Sequence, residues 1–148
     1  MTSAMLEQIQ STYQKINRDT LRQGILRTLY ADSAEFIDPF HHLKGVNSIE
    51  AYFIKLYQNV TDISFQYGHC GQIEQVAWQE WTMTLQHPRL AKGSPIAVPG
   101  MTRFELSDQK IIVHRDYFDA GALLYEQVPV LGSIIRTLKH RMGQSNGS

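Results

Sequence analysis

Cysteine is almost missing from this sequence: Cys70 stands alone in 148 residues, so no disulfide can form within the chain. That excludes the small secreted folds held by such staples. Excess charge of either sign is missing too, with 14 Lys and Arg against 14 Asp and Glu. No overall positive field exists to hold nucleic acid, and none is expected as a partner. No apolar run approaches the length of a membrane span. The opening MTSAMLEQIQ lacks the charged start and apolar stretch of a secretory signal, so the expected location is the cytoplasm. No glycine-rich phosphate loop appears. The six histidines show no paired ligand spacing, and His41 and His42 are simply adjacent. Neither a metal nor a cofactor is expected. What is present is ordinary globular composition, 43% hydrophobic and 19% charged. The length fits one domain over residues 1–143, followed by the polar tail Gln144–Ser148.

The first half has helical period. Met5, Leu6, Ile9, Tyr13 and Ile16 make one apolar stripe. Asp19 or Thr20 can cap a second helix reaching about Tyr30, with Leu21, Ile25, Leu26 and Leu29 inward. Ala34 to Asp38 reads as a short strand stopped by Pro39, and Gly45 as a turn. Asn47 or Ser48 then caps a third helix that buries Ile49, Tyr52, Phe53, Leu56 and Tyr57. The second half changes to strand period, with antiparallel strands expected over 63–70, 73–87, 96–106 and 110–119, the first two joined at Gly71-Gln72. A last helix follows over 120–142, interrupted at Pro129 and Gly132. Helices gathered at one end of a strongly bent antiparallel sheet make an α+β architecture, and a cavity between them is the expected small-ligand site.

Alternation along strands assigns side chains to that cavity. Phe36 shares a face with Asp38; Ile112, His114, Asp116 and Phe118 share another. Trp81, Met83, Leu85 and His87 face away from Glu80, Thr82, Thr84 and Gln86, and Thr102, Phe104 and Leu106 oppose Arg103 and Glu105. A carboxylate on an aromatic face is poorly solvated, which strengthens it as a general base. Asp38 and Asp116 therefore read as an acid/base pair, with His114 sharing a proton. The same residues also fit structural roles. Asp38-Pro39 is a turn-initiating dipeptide whose side chain can bond nearby amides. Asp116 can pair with Arg103 or Arg115, and His114 can be a hydrogen-bonded core residue. Cys70 reads as a small strand residue rather than a nucleophile beside His69.

The run Tyr30-Ala-Asp-Ser-Ala-Glu-Phe-Ile-Asp-Pro39, with Gly45 and the helix carrying Ala51-Tyr-Phe53, resembles the early region of ketosteroid isomerases. In that resemblance Asp38 matches the proton-moving aspartate and Tyr13 the oxyanion-binding tyrosine. Thr102 stands where their second donor, an aspartic acid, would be. The segment His114 to Asp119 is similar to limonene epoxide hydrolase, with Asp116 at a catalytic aspartate and Trp81 and Met83 where its Arg-x-Asp would fall. The widest likeness is to SnoaL-like proteins of bacteria, through Asp38-Pro-Phe40, Pro99-Gly100, His114 to Tyr117, and the apolar helix 130–142 with basic residues at its end. It implies the cone-shaped NTF2-like fold and covers nearly the whole chain.

The expected function is proton transfer on a hydrophobic ring or lipid-like carbonyl compound. Asp38 is the expected base, Tyr13 the oxyanion donor, and Asp116 with His114 a proton relay. Phe36, Phe40, Tyr52, Trp81, Met83, Thr102, Phe104 and Phe118 are expected to line the pocket around a small hydrophobic ligand. The competing expectation is a pocket that binds without catalysis, or a partner module. A homodimer is one expected partner. The stripe Val130, Leu131, Ile134, Ile135 and Leu138 beside Arg136, Lys139, His140 and Arg141 could also lie on an anionic membrane, although docking on the sheet or a second copy fits equally simple physics.

Overall fold

A computed structural model describes residues 2–123, 137, 138 and 140–143. Helix α1 (Ala4–Gln14) starts where Ser3 accepts a hydrogen bond from the Leu6 amide, and it buries Leu6, Ile9 and Thr12. Helix α2 (Arg18–Arg22) is short and opens with a capping box between Asn17 and Thr20. The second helix does not run to Tyr30 as its apolar stripe suggests. Gly24 takes a left-handed conformation (φ 84°), which ends the α-helix, and a single 3₁₀ turn, Ile25–Thr28, follows. Leu21, Leu26 and Leu29 are nevertheless fully buried, so the apolar pattern held while the backbone changed.

Strand β1 (Tyr30–Ile37) begins earlier than expected and stops one residue before Asp38. β2 (His42–Lys44) folds back on it. Helix α3 (Val46–Asn59) starts at Gly45, itself in a positive-φ conformation (89°), without a side-chain cap from Asn47 or Ser48. It presses Val46, Ile49 and Phe53 inward. Four long strands follow: β3 (Asp62–Ile73), β4 (Val76–Gln86), β5 (Ile96–Ser107) and β6 (Lys110–Phe118). The β3–β4 turn falls at Glu74-Gln75, not Gly71-Gln72. Glu74 adopts the left-handed backbone, and Gly71 lies inside β3 because the Trp78 ring covers it: a Cβ there would sit 2.5 Å from that ring.

The curved sheet has the order β2-β1-β6-β5-β4-β3. All pairs are antiparallel except β1 with β6, which is parallel. An antiparallel sheet throughout is thus corrected at that one seam, where the intervening helix and strands give the chain length to return in the same direction. The seam sets Phe36 directly beside His114. A register shift between Glu105 and Leu106 makes Ile111 the fully buried residue, so Ile112 leaves the face that His114, Asp116 and Phe118 share. Helix α4 (Ala120–Leu123) begins the last segment, and residues 137, 138 and 140–143 are helical. The expected interruptions at Pro129 and Gly132, the stripe at 130–135, Arg136, Lys139 and the tail 144–148 lie outside the described residues. Among the described residues no helix is long and apolar enough to cross a membrane.

Candidate functional site

The concave sheet face and helices α1 and α3 enclose a cavity of about 120 Å³. One water takes roughly 10–15 Å³ on this measure, so the space exceeds several waters. α1 contributes Ile9 and Tyr13; α3 contributes Tyr52, Phe53, Leu56 and Tyr57. Alternate residues of the strands complete it: Phe36 from β1, Ile63, Phe65 and Tyr67 from β3, and Gln79, Trp81, Met83 and Leu85 from β4. Thr102 and Phe104 come from β5, and His114, Asp116 and Phe118 from β6; Asp38 lies just beyond β1. Among the described residues no lysine or arginine lines this space. The Trp81 ring packs edge-on to Phe65 and lies 6.2 Å from Phe118, forming a stiff wall.

A chain of hydrogen bonds runs along the cavity floor. Trp81 Nε1 donates to Thr102 Oγ1 at 2.8 Å, and Thr102 Oγ1 donates to Asp116 Oδ1 at 2.5 Å. His114 Nε2 lies 2.7 Å from the same Asp116 oxygen. On the other side of that ring, Nδ1 is 2.7 Å from the Tyr30 hydroxyl, which is itself hydrogen-bonded to the Tyr13 hydroxyl. Phe36 and Phe104 clamp the imidazole at centroid distances of 4.5 and 5.2 Å. Asp116 Oδ2 accepts no hydrogen bond from any described residue. Asp116 thus pairs with His114, not with Arg103 or Arg115: Arg103 pairs with Glu105 and Arg115 is exposed.

Asp38 is held differently. Its Oδ1 accepts from the Phe40 amide at 2.8 Å and the His41 amide at 2.7 Å, and His41 Nδ1 lies 3.1 Å from it. Its side chain is only 5% exposed. Asp38 therefore lines the cavity and also organises the turn through Pro39, combining the two roles its sequence allows.

Tyr52 brings a hydroxyl-bearing ring from α3 into the same cavity as both carboxylates. Burial pushes its hydroxyl well above the ordinary tyrosine range, and the charges of Asp38 and then Asp116 push it further. The group stays a neutral phenol, able to donate a hydrogen bond. Burial likewise raises Tyr13 and Tyr30, with Asp116 adding to both, and lifts Tyr67 to about 12.

The structure gathers Tyr13, Asp38, Asp116 and His114 around one space, together with Phe36, Tyr52, Trp81, Met83, Thr102, Phe104 and Phe118. Phe40, expected in the wall, is not part of the lining. It is 37% exposed and its ring lies 6.1 Å from Phe118, because the Asp38 turn carries it outward. Sequence reasoning missed Tyr30, His41, Phe65, Tyr67 and Gln79. The alternation Ile63-Phe65-Tyr67 could have found two of them. Tyr30 looked like a helix end, and nothing local marks Gln79, whose buried amide donates to the carbonyls of Gly68, His69 and Glu80 at an irregularity of β3. Among the described residues no group of three or more His, Cys, Asp or Glu is arranged to hold a metal.

Helices closing a bent mixed sheet over an aromatic cavity define an NTF2-like fold, and known structures share it. A protein of ketosteroid isomerase-like fold from Catenulispora acidiphila, solved with trimethylamine, superimposes with a TM-score of 0.71 at 15% identity, covering 86% of this chain and 93% of that one. TsrD from Streptomyces laurentii gives 0.71 at 17% identity, over 87% and 98%. An LEH-like epoxide hydrolase from M. tuberculosis gives 0.68 at 14%, over 90% and 96%. No curated protein matches in sequence. The family model for the SnoaL-like domain matches residues 9–114, and the chain belongs to that family.

Proposed function

We propose that this protein is an enzyme that moves a proton on the carbon beside a carbonyl of a small, mostly apolar ring compound. The carrying observation is Asp116: one carboxylate oxygen is braced by Thr102 and His114, while the other accepts nothing from the described residues, in a cavity with aromatic walls. A base needs a lone pair within reach of the carbon acid and a fixed position. Asp116 Oδ2 meets both needs better than Asp38, whose Oδ1 is occupied by two backbone amides and whose two oxygens both lie within reach of His41 Nδ1, at 3.1 and 3.4 Å. The base expected at Asp38 thus moves to Asp116, and Asp38 becomes the second carboxylate of the site.

Removing the proton leaves negative charge on the carbonyl oxygen, which a hydrogen-bond donor must hold. Tyr52 supplies a neutral hydroxyl in the same cavity, kept protonated by burial and by the charges of both carboxylates. Tyr13, expected in that role, has its hydroxyl engaged with Tyr30. Asp116 returns its proton to a second carbon, so the reaction is an isomerisation with no change in composition. A structural neighbour is named an epoxide hydrolase, so the same fold does serve enzymes.

The test is conversion of a panel of cyclic β,γ-unsaturated ketones, read by the absorbance of the conjugated product. Asp116→Asn is expected to lose roughly 10²–10⁴-fold in rate, the range for a positioned general base. Asp38→Asn should lose less. Equal rates for wild type and Asp116→Asn remove the assignment. Ketones that bind the wild type without turning over favour a non-catalytic pocket.

A further inference from the structure

Donor and acceptor chemistry fixes the direction of every proton in the Trp81-to-Tyr13 chain once the charge of His114 is set. An indole N–H only donates, so the Thr102 oxygen receives it and the Thr102 proton goes to Asp116. A carboxylate only accepts, so His114 Nε2 must carry a proton toward Asp116. In a neutral imidazole this leaves Nδ1 as an acceptor, and the Tyr30 hydroxyl must donate to it. With that single proton committed, Tyr30 can only accept from Tyr13. Tyr13 then shows the cavity lone pairs alone. Protonating His114 reverses the far half: Nδ1–H donates to Tyr30, Tyr30 donates to Tyr13, and the Tyr13 proton is released toward the cavity.

We propose that Tyr30 is a positioning residue that couples the charge of His114 to Tyr13, so that the cavity offers ligands an acceptor there when His114 is neutral and a donor when it is a cation. This rests on the cavity being the ligand site of the proposed function. A ring compound bearing an N–H or hydroxyl fits the first state, and one bearing a carbonyl the second. Tyr30 is suited to the task because it is 1% exposed and cannot exchange its partners for water. Burial holds both tyrosines neutral far above the ordinary range, so only the direction of their protons can change. Among the described residues the titratable groups that share this site with His114 are Tyr13 from α1, Tyr30 from β1, Asp38 beyond it, Tyr52 and Tyr57 from α3, Tyr67 from β3 and Asp116 from β6. β4 and β5 present Gln79, Trp81, Thr102 and Phe104 on this side and no charge; Arg103 and Glu105 alternate to the other face.

The experiment uses the full chain labelled with ¹⁵N-histidine and ¹³Cζ-tyrosine, as wild type and Tyr30→Phe. At high pH His114 should be the tautomer protonated on Nε2, and as it gains a proton the Tyr13 Cζ resonance should move with the same midpoint. In Tyr30→Phe that coupled movement should vanish. An Nδ1-protonated tautomer in the wild type, or a Tyr13 signal indifferent to His114, overturns the proposal even if the variant does not fold. A second readout compares indole, which only donates, with 1-indanone, which only accepts. The affinity ratio of indanone to indole should rise about three- to tenfold as His114 is protonated, the worth of one hydrogen bond, and stay flat in Tyr30→Phe. A ratio independent of pH in the wild type overturns the coupling. Failure of both probes to bind counts against the ligand-site reading, and the resonance shifts still decide the coupling by themselves.

Discussion

Asp116 accepts two hydrogen bonds on one oxygen and none from described residues on the other, whereas His41 Nδ1 stands 3.4 Å from the second oxygen of Asp38, whose first is already filled by backbone amides. The distinction was out of reach of the sequence. Strand period placed both carboxylates on inward faces, but which lone pairs stay free depends on partners far along the chain, such as Thr102, or on a turn such as Phe40-His41. The tyrosines show the same limit. Tyr30 and Tyr13 are 17 residues apart, and only the folded chain joins their hydroxyls. Their burial has a consequence with a definite sign. The folded-state pKa of these hydroxyls is raised above the unfolded value near 10, so their contribution to stability is complete below that value and is lost as pH rises toward the folded one. In a spectrophotometric alkaline titration, Tyr67 should ionise near pH 12 if the fold persists that far, and Tyr13 and Tyr30 only on unfolding. Ionisation of Tyr13 or Tyr30 near pH 10 in the folded protein would contradict their placement.

At the scale of elements, the apolar patterns identified helices and strand faces, and backbone devices set the boundaries. Gly24 ended α2 early, Gly45 started α3 without a polar cap, and the register shift near Glu105 exchanged Ile111 for Ile112. Glycine misled most at Gly71, which looked like a turn and serves instead as a flat seat for Trp78. Gly100 does the same beneath Trp81, where a Cβ would stand 2.3 Å from the ring. These two sites give a paired prediction. Gly71→Ala and Gly100→Ala should each cost about 1–3 kcal/mol in urea unfolding, as overpacking does. Only Gly100→Ala should also change ligand affinity, because Trp81 lines the cavity and Trp78 does not. Equal effects on affinity would show that Trp81 does not shape the site.

For the whole molecule, the α+β fold was legible because helical period gives way to strand period near residue 63, a change that survives errors of a few residues at every boundary. The parallel seam of β1 and β6 was not legible, since pairing partners leave no local pattern. That seam brings Phe36 against His114 and so closes the aromatic cavity over the carboxylates. The central claim is that Asp116 removes a proton from carbon inside this cavity. It is tested most directly by incubating cyclic ketones with the protein in D₂O and following deuterium entering beside the carbonyl by NMR, for wild type, Asp116→Asn and Asp38→Asn. The expected result is exchange catalysed by wild type, retained in part by Asp38→Asn, and reduced to the protein-free rate by Asp116→Asn. Exchange by Asp116→Asn at the wild-type rate would contradict it.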